Sequence, residues 1–287
     1  MPGFLRKRLS LFAVAILVAA GPALAELPAR RSDPAIERQV QAALPRQPQL
    51  LQDEIDALDA KRAGAHNLYF LGFAGYGDQE VFRKEVERVR ELFDREFGTR
   101  GHSLVLANNP ATLGRYPLAT LANLRAALAA LARKLDPKED VLFLFMTSHG
   151  ARRGGFSVQL NGRGLGDIAP RQLAAALAAS GIKNRVVLIS SCFSGQFVAP
   201  LANDDSLVIT ASAANRPSFG CSTDAEWTYF GKGYFVDALP KQKKFIPAFY
   251  EAQNLVAVRE VWEQVPPSRP QISVGARIEQ MLKELGY

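Results

Sequence analysis

The sequence predicts an α/β protein, a three-layer sandwich with a mostly parallel central sheet and helices on both faces. Three observations carry this. Strand-length segments such as "LYFLGF" and "DVLFLFMTS" are apolar throughout instead of alternating, as expected of strands buried on both faces. Segments with helical periodicity separate them, the alternation that joins parallel strands. The composition, 48% hydrophobic and 22% charged over 287 residues, is that of a globular chain long enough for one large domain or two small ones.

Residues 1–25 read as a secretory signal. Arg6, Lys7 and Arg8 precede a short apolar stretch, broken by Gly21 and Pro22, that ends in Ala23-Leu24-Ala25. An uncleaved anchor helix is the alternative, but the stretch is short for a membrane span. The mature protein is therefore expected to be exported, periplasmic or secreted, without stable membrane insertion. Residues 26–62 carry Pro28, Pro34, Pro45 and Pro48 and a helical-looking "QLLQDEIDALDAKRA". They read as a leader or peripheral helical segment outside the core.

Residues 63–287 form the expected domain. "HNLYFLGF" is its first strand. In "DQEVFRKEVERVRELFDREFG", Val81, Phe82, Val86, Val89, Leu92, Phe93 and Phe97 recur at helical spacing behind a possible Asp78 cap. "HSLVLAN", "DVLFLFMTS", "RVVLISS" and "SLVITASA" are further strands, and "FSVQLNG" is a strand or hairpin arm. "LATLANLRAALAALARKL", "PRQLAAALAAS", "FIPAFYEAQNLVAVREVWEQ" and "ARIEQMLKELGY" are helices. "PPSRPQISVG" is a proline-rich return that can include an edge strand.

Parallel strands joined by helices point the same way, so the residues that follow them gather along one rim, where open α/β folds bind ligands. Two strands end there on reactive side chains: "VLFLFMTSHG" on His149 and "RVVLISSC" on Cys192. An imidazole beside a thiol can hold the thiolate and later return a proton to a leaving group. The amides of Gly150 and Cys192 are candidate oxyanion donors, because each lies where a strand turns and glycine admits close approach. The pattern suits acyl transfer. A second reading stays open: with only two cysteines, Cys192 and Cys221, an exported protein can form a disulfide, worth about 3.5 kcal/mol by loop closure.

The order of these pieces resembles the legumain-like cysteine peptidases of the caspase-like superfamily, which also contains the catalytic subunit of GPI transamidase. The resemblance rests on strand-Ser-His-Gly, the Gly-rich hairpin, a helix, and strand-Ser-Cys-x-Ser-Gly. It continues through "VITASAANRPSFGCSTDAEWTYFGKGYFVDAL" and "LYFLGFAGYG", and spans about residues 64–287. It implies a caspase-like sandwich, a His149/Cys192 dyad, and an oxyanion hole from Gly150 and Cys192. It also implies a cysteine endopeptidase that needs no cofactor or metal and acts on polypeptide substrates. Legumains favour asparagine before the cleaved bond, in a pocket with a basic and acidic residues. Here Ser190 stands where the family often has Glu, and Lys232 where it has Asp, while Ser218 is retained. These three are the expected substrate-binding residues, and they point to a polar, Asn- or Asp-like side chain.

Several alternatives accompany this reading. The acyl-enzyme could be captured by an amine, making a transpeptidase or ligase, or the domain could be a non-catalytic, disulfide-locked binder. Asp224 and Glu226 are possible pocket residues and Asp78 a possible partner of His149, whereas His66 and His102 read as structural. Removing the signal takes three of the 35 Lys+Arg and none of the 28 Asp+Glu, so the net charge falls from +7 to +4. Those bases are interleaved with acids, which argues against a nucleic-acid reader. An exposed sheet edge leaves oligomerisation open.

Overall fold

Continuous apolar strands need cover on both faces, and the computed structural model supplies it. The structure describes residues 33–60 and 66–287. The expected signal, residues 1–25, lies outside them.

Six strands form the central sheet: β1 (Leu68–Ala74), β2 (Ser103–Ala107), β3 (Val141–Thr147), β4 (Arg185–Ser190), β5 (Ser206–Thr210) and β6 (Gln271–Val274). Their spatial order is β6-β5-β4-β3-β1-β2. All neighbours are parallel except β6, the expected edge strand, which runs antiparallel to β5. Side chains alternate between two cores. Phe70, Phe143 and Phe145 face one side, with Phe93 of helix α3 (Glu80–Glu96) and Phe245. Tyr69, Leu71, Phe73, Leu142 and Leu144 face the other, with helices α4 (Leu121–Lys134) and α5 (Pro170–Ser180). Burial on both faces explains why polar residues are absent from the interiors of the five parallel strands.

Helix α6 (Phe245–Trp262) and helix α7 (Ala276–Leu285) complete the face that α3 covers. The "FSVQLNG" segment is not one strand. It contributes to two short hairpins, Gly150–Ala151 with Gly155–Phe156 and Gln159–Leu160 with Arg163–Gly164. Asn161, at φ +52°, makes the turn of the second.

The segment expected to lie outside the core is attached to it. It forms α1 (Pro34–Ala43) and α2 (Gln47–Asp56). Leu51 and Leu58 join the α4 core, and the buried Gln47 side chain donates to Leu113 C=O and accepts from Leu118 N–H. Among the described residues no helix is long and apolar enough to cross a membrane.

The register sets the site. Ala74 pairs with Thr147, and Thr147 with Ser190. Gly75 N–H donates to Thr147 C=O at 3.0 Å and Ser148 N–H to Ser190 C=O at 3.1 Å. Three strand tips therefore stand level, and the chain leaving each enters the same rim.

Candidate active site

The two reactive tips meet through their backbones. A Cβ placed on Gly150 would lie 2.1 Å from Cys192 O and 3.0 Å from Ser191 Oγ. Real Cβ atoms do not approach so closely, so only glycine permits this contact. The hairpin that follows leaves the Gly150 amide outside its ladder. Ser157 N–H donates to His149 C=O at 2.9 Å, whereas Phe156, opposite Gly150, exchanges both of its bonds with Ile168.

Cys192 sits on a sharp turn after β4. Phe193 adopts φ +57°, ψ +18°, a conformation that costs a non-glycine residue about 1 kcal/mol or more. The buried Ser194–Ser212 pair holds it: each backbone N–H donates to the other's Oγ at 3.1 Å. Ser212 Oγ–H also reaches Ser191 C=O. Gly195 lets the loop press against the segment after β5, where a Cβ would meet Ala214 N at 2.4 Å. The Cys192 thiol lies against Ser218. Ser218 N–H is 3.3 Å from Sγ, its Oγ 3.8 Å, and Sγ–H reaches Ser218 C=O at 3.4 Å.

His149 is held by residues that local patterns do not mark. Its Nε2 is 2.6 Å from Gln79 Oε1. The Tyr76 and Phe82 rings stand edge-on to it, with centroids at 4.5 and 5.1 Å. Burial by these groups lowers the His149 pKa below 6.5. Asp78, expected as a helix cap or as a partner of His149, does neither. Its Oδ2 accepts from Gln159 Nε2 and Gly162 N–H, both at 2.8 Å, and so ties the second hairpin to the loop after β1. Gln79 occupies the N-cap position of α3, and its side chain makes no cap bond there.

A buried carboxylate lies behind both tips. Glu85 of α3 accepts from Thr147 Oγ at 2.5 Å and from Thr228 N–H and Oγ at 3.1 and 2.7 Å. Ser190 Oγ is 3.2 Å from Thr228 Oγ1. Glu85 thus bonds the residue two before His149 directly, and reaches the residue two before Cys192 through Thr228. Burial raises its pKa against the pull of these donors. Its sequence signal is a charge within the apolar stripe of α3, among Val81, Phe82 and Val89.

The expected substrate-binding residues separate. Ser190 and Ser218 flank the nucleophile, although Ser190 is only 2% exposed and faces Thr228. Lys232 points outward, where its Nζ is 2.8 Å from Asp237. Glu226 reaches α3, where Lys84 at 2.6 Å and Arg88 bring its carboxyl down to about 2. Asp224 lines a surface groove with Trp227. His66 Nδ1 lies 3.3 Å from Glu139 C=O, and His102 stacks on Tyr69 at 4.5 Å, far along the strands from the tips. Both cysteines are free. Burial, with Cys192 and Glu85 nearby, pushes the Cys221 thiol up to about 11, so Cys221 is a poor nucleophile.

Comparison with known proteins places the chain in a family. The crystal structure of caspase-1 from Spodoptera frugiperda is similar at 13% identity and a TM-score of 0.49, over 76% of this chain and 93% of that one. No curated protein matches the chain. The Peptidase C13 family profile matches residues 125–276, just over half the chain, and the matched stretch contains both strand tips. The chain belongs to the Peptidase C13 family and is a cysteine-type peptidase.

Proposed function

We propose that the protein is an endopeptidase in which His149 and Cys192 form the catalytic dyad, working through a thioacyl-enzyme. The observation that carries this is the backbone contact of the two tips, with Gly150 against Cys192 C=O. With Gln79 accepting from Nε2–H, the unprotonated nitrogen of the neutral ring is Nδ1. The lowered His149 pKa keeps the ring neutral at neutral pH, the form a general base requires.

Nδ1 takes the thiol proton as sulfur bonds to the scissile carbonyl carbon. The carbonyl electron pair becomes an oxyanion facing the amides of Gly150 and Cys192. Collapse breaks the C–N bond, and the imidazolium passes its proton to the leaving amine. Water, deprotonated by the same nitrogen, then cleaves the thioester and restores the thiol. Gln79 acts as a positioning residue by fixing the tautomer and the ring angle. The Ser218 hydroxyl beside the thiol favours a polar side chain, Asn- or Asp-like, before the cleaved bond, while Ser190 and Thr228 support the site from beneath. Lys232 takes no part in that choice because Asp237 holds it.

A fluorogenic peptide panel varied at that residue tests the reading on wild type, Cys192→Ala, His149→Ala and Lys232→Ala. The wild type and Lys232→Ala should share one polar preference, and the other two variants should be inactive. Cleavage that survives Cys192→Ala contradicts the dyad. Product analysis with and without an added amine separates hydrolysis from transfer. The reading includes export, and a mature protein beginning at Glu26 would support it.

A further inference from the structure

The loop that touches the Cys192 thiol leads into a surface groove that the reaction does not use. Two residues beyond Ser218, Gly220 packs against Tyr229, whose N–H donates to Phe219 C=O at 3.0 Å. From Gly220 a groove of about 480 Å³ runs past Trp227 and Tyr229 to Lys232 and Arg259. A second hollow of about 350 Å³ shares Tyr229, Lys232 and Arg259 with it and continues along α6 to Leu255, Val258 and Trp262.

The far end of this groove is apolar and open. Helix α6 turns Phe245, Ala248, Phe249, Ala252 and Val256 inward. Its outer side carries Tyr250, Leu255, Val258, Val261 and Trp262, and the last three are 70%, 79% and 86% exposed. Glu251 and Asn254 interrupt this side near Tyr250, but over the last two turns Leu255, Val258, Val261 and Trp262 alone fill an arc of about 120°. A contiguous apolar face of this kind marks an interaction surface. Most charges along the groove are paired: Lys232 with Asp237, Glu226 with Lys84 and Arg88, and Arg259, stacked on Tyr229 at 3.8 Å, with Glu263 3.8 Å away, while Asp224 also lines it. The surface therefore offers rings and aliphatic groups instead of a net field.

We propose that this groove is an exosite for the polypeptide substrate. It takes an extended stretch of the chain being cleaved, away from the scissile bond, and seats an aromatic or aliphatic side chain against Val258 and Trp262. The proposal rests on Cys192 being the nucleophile. Continuity selects the substrate chain over a second protomer, because the groove begins at Gly220, on the loop that contacts the thiol. Tryptophan in such a groove is the residue type that most often dominates binding.

Both tryptophans of the chain, Trp227 and Trp262, line the groove, so intrinsic fluorescence reports its occupancy. The test uses a tryptophan-free 20-residue peptide with a central asparagine and Phe and Leu on both sides, and a four-residue peptide around the same asparagine. The inactive Cys192→Ala protein should change its fluorescence with the long peptide. Adding Trp262→Ala, read through Trp227, or Val258→Asp should weaken that binding about fivefold or more. In the active enzyme the same changes should lower the long-to-short ratio of kcat/KM by a similar factor. An unchanged Kd or an unchanged ratio overturns the exosite. So does a dimer in the wild type that Val258→Asp converts to monomer, which would assign the face to a second copy. Cleavage by Cys192→Ala would sink the dyad alone, because binding to the groove is measured without turnover.

Discussion

Replacing Gln79 by alanine removes the acceptor 2.6 Å from His149 Nε2. The ring stays packed between Tyr76 and Phe82, so its Nε2–H is left buried without a partner. An unmet buried donor costs about 1–3 kcal/mol, and the ring relieves it by turning or by moving its proton to Nδ1, which removes the base. If that full cost enters the barrier, kcat falls about 5- to 150-fold. Stability should fall by no more than that same amount, because the Gln79 side chain makes no cap bond to α3 that would be lost as well. Gln79→Glu separates orientation from mere packing. A carboxylate beside the imidazole favours its charged form and raises its pKa. The wild-type acid limb of kcat/KM should lie below pH 6.5, since burial lowers His149, and Gln79→Glu should move that limb upward. Stopped-flow peptide cleavage across the pH range measures both. Full activity in Gln79→Ala, or an acid limb that Gln79→Glu does not move, would refute the positioning role.

Gly150→Ala places a Cβ 2.1 Å from Cys192 O and must push the two tips apart. A shift near 1 Å should cost about 100-fold in kcat/KM, with the fold retained by circular dichroism. Glu85→Ala orphans the buried donors of Thr147 and Thr228 and should destabilise the protein by about 2–4 kcal/mol in urea titration. Glu85 also gives stability a pH dependence. Its folded pKa is raised above 4.5, so the folded state binds the proton more tightly and stability falls as pH rises from 4.5 through the folded value. That slope should be missing from Glu85→Gln.

Much of this fold could be read from the chain. Strands buried on both faces appear as unbroken apolar runs, and α5 begins at Pro170 and ends at Ser180, ahead of Gly181, because proline and glycine mark its ends. His149 and Cys192 were legible because each ends such a run. Gln79 was not: its role depends on a contact across 70 positions, and nothing in local periodicity distinguishes it from Asp78, which attracted attention as the charged neighbour. Glu85 was visible in principle, as a carboxylate on a buried helical stripe, but only the fold shows what it bonds. For Lys232 an alignment position says nothing of side-chain direction. Asp237, five residues on within a π-helical stretch, takes it outward. Residues 26–62 read as a leader or peripheral helical segment because their polar residues dominate. Its apolar residues pack on the domain, with Val40, Leu51 and Leu58 buried and Ile36 and Ile55 partly so.

Peptide mapping after reaction with an electrophilic peptide probe tests the central claim most directly, since the structure holds two free thiols of different character. A single adduct on Cys192, formed far more slowly in His149→Ala, is the predicted result. An adduct on Cys221, or labelling of Cys192 at the same rate without His149, would contradict it.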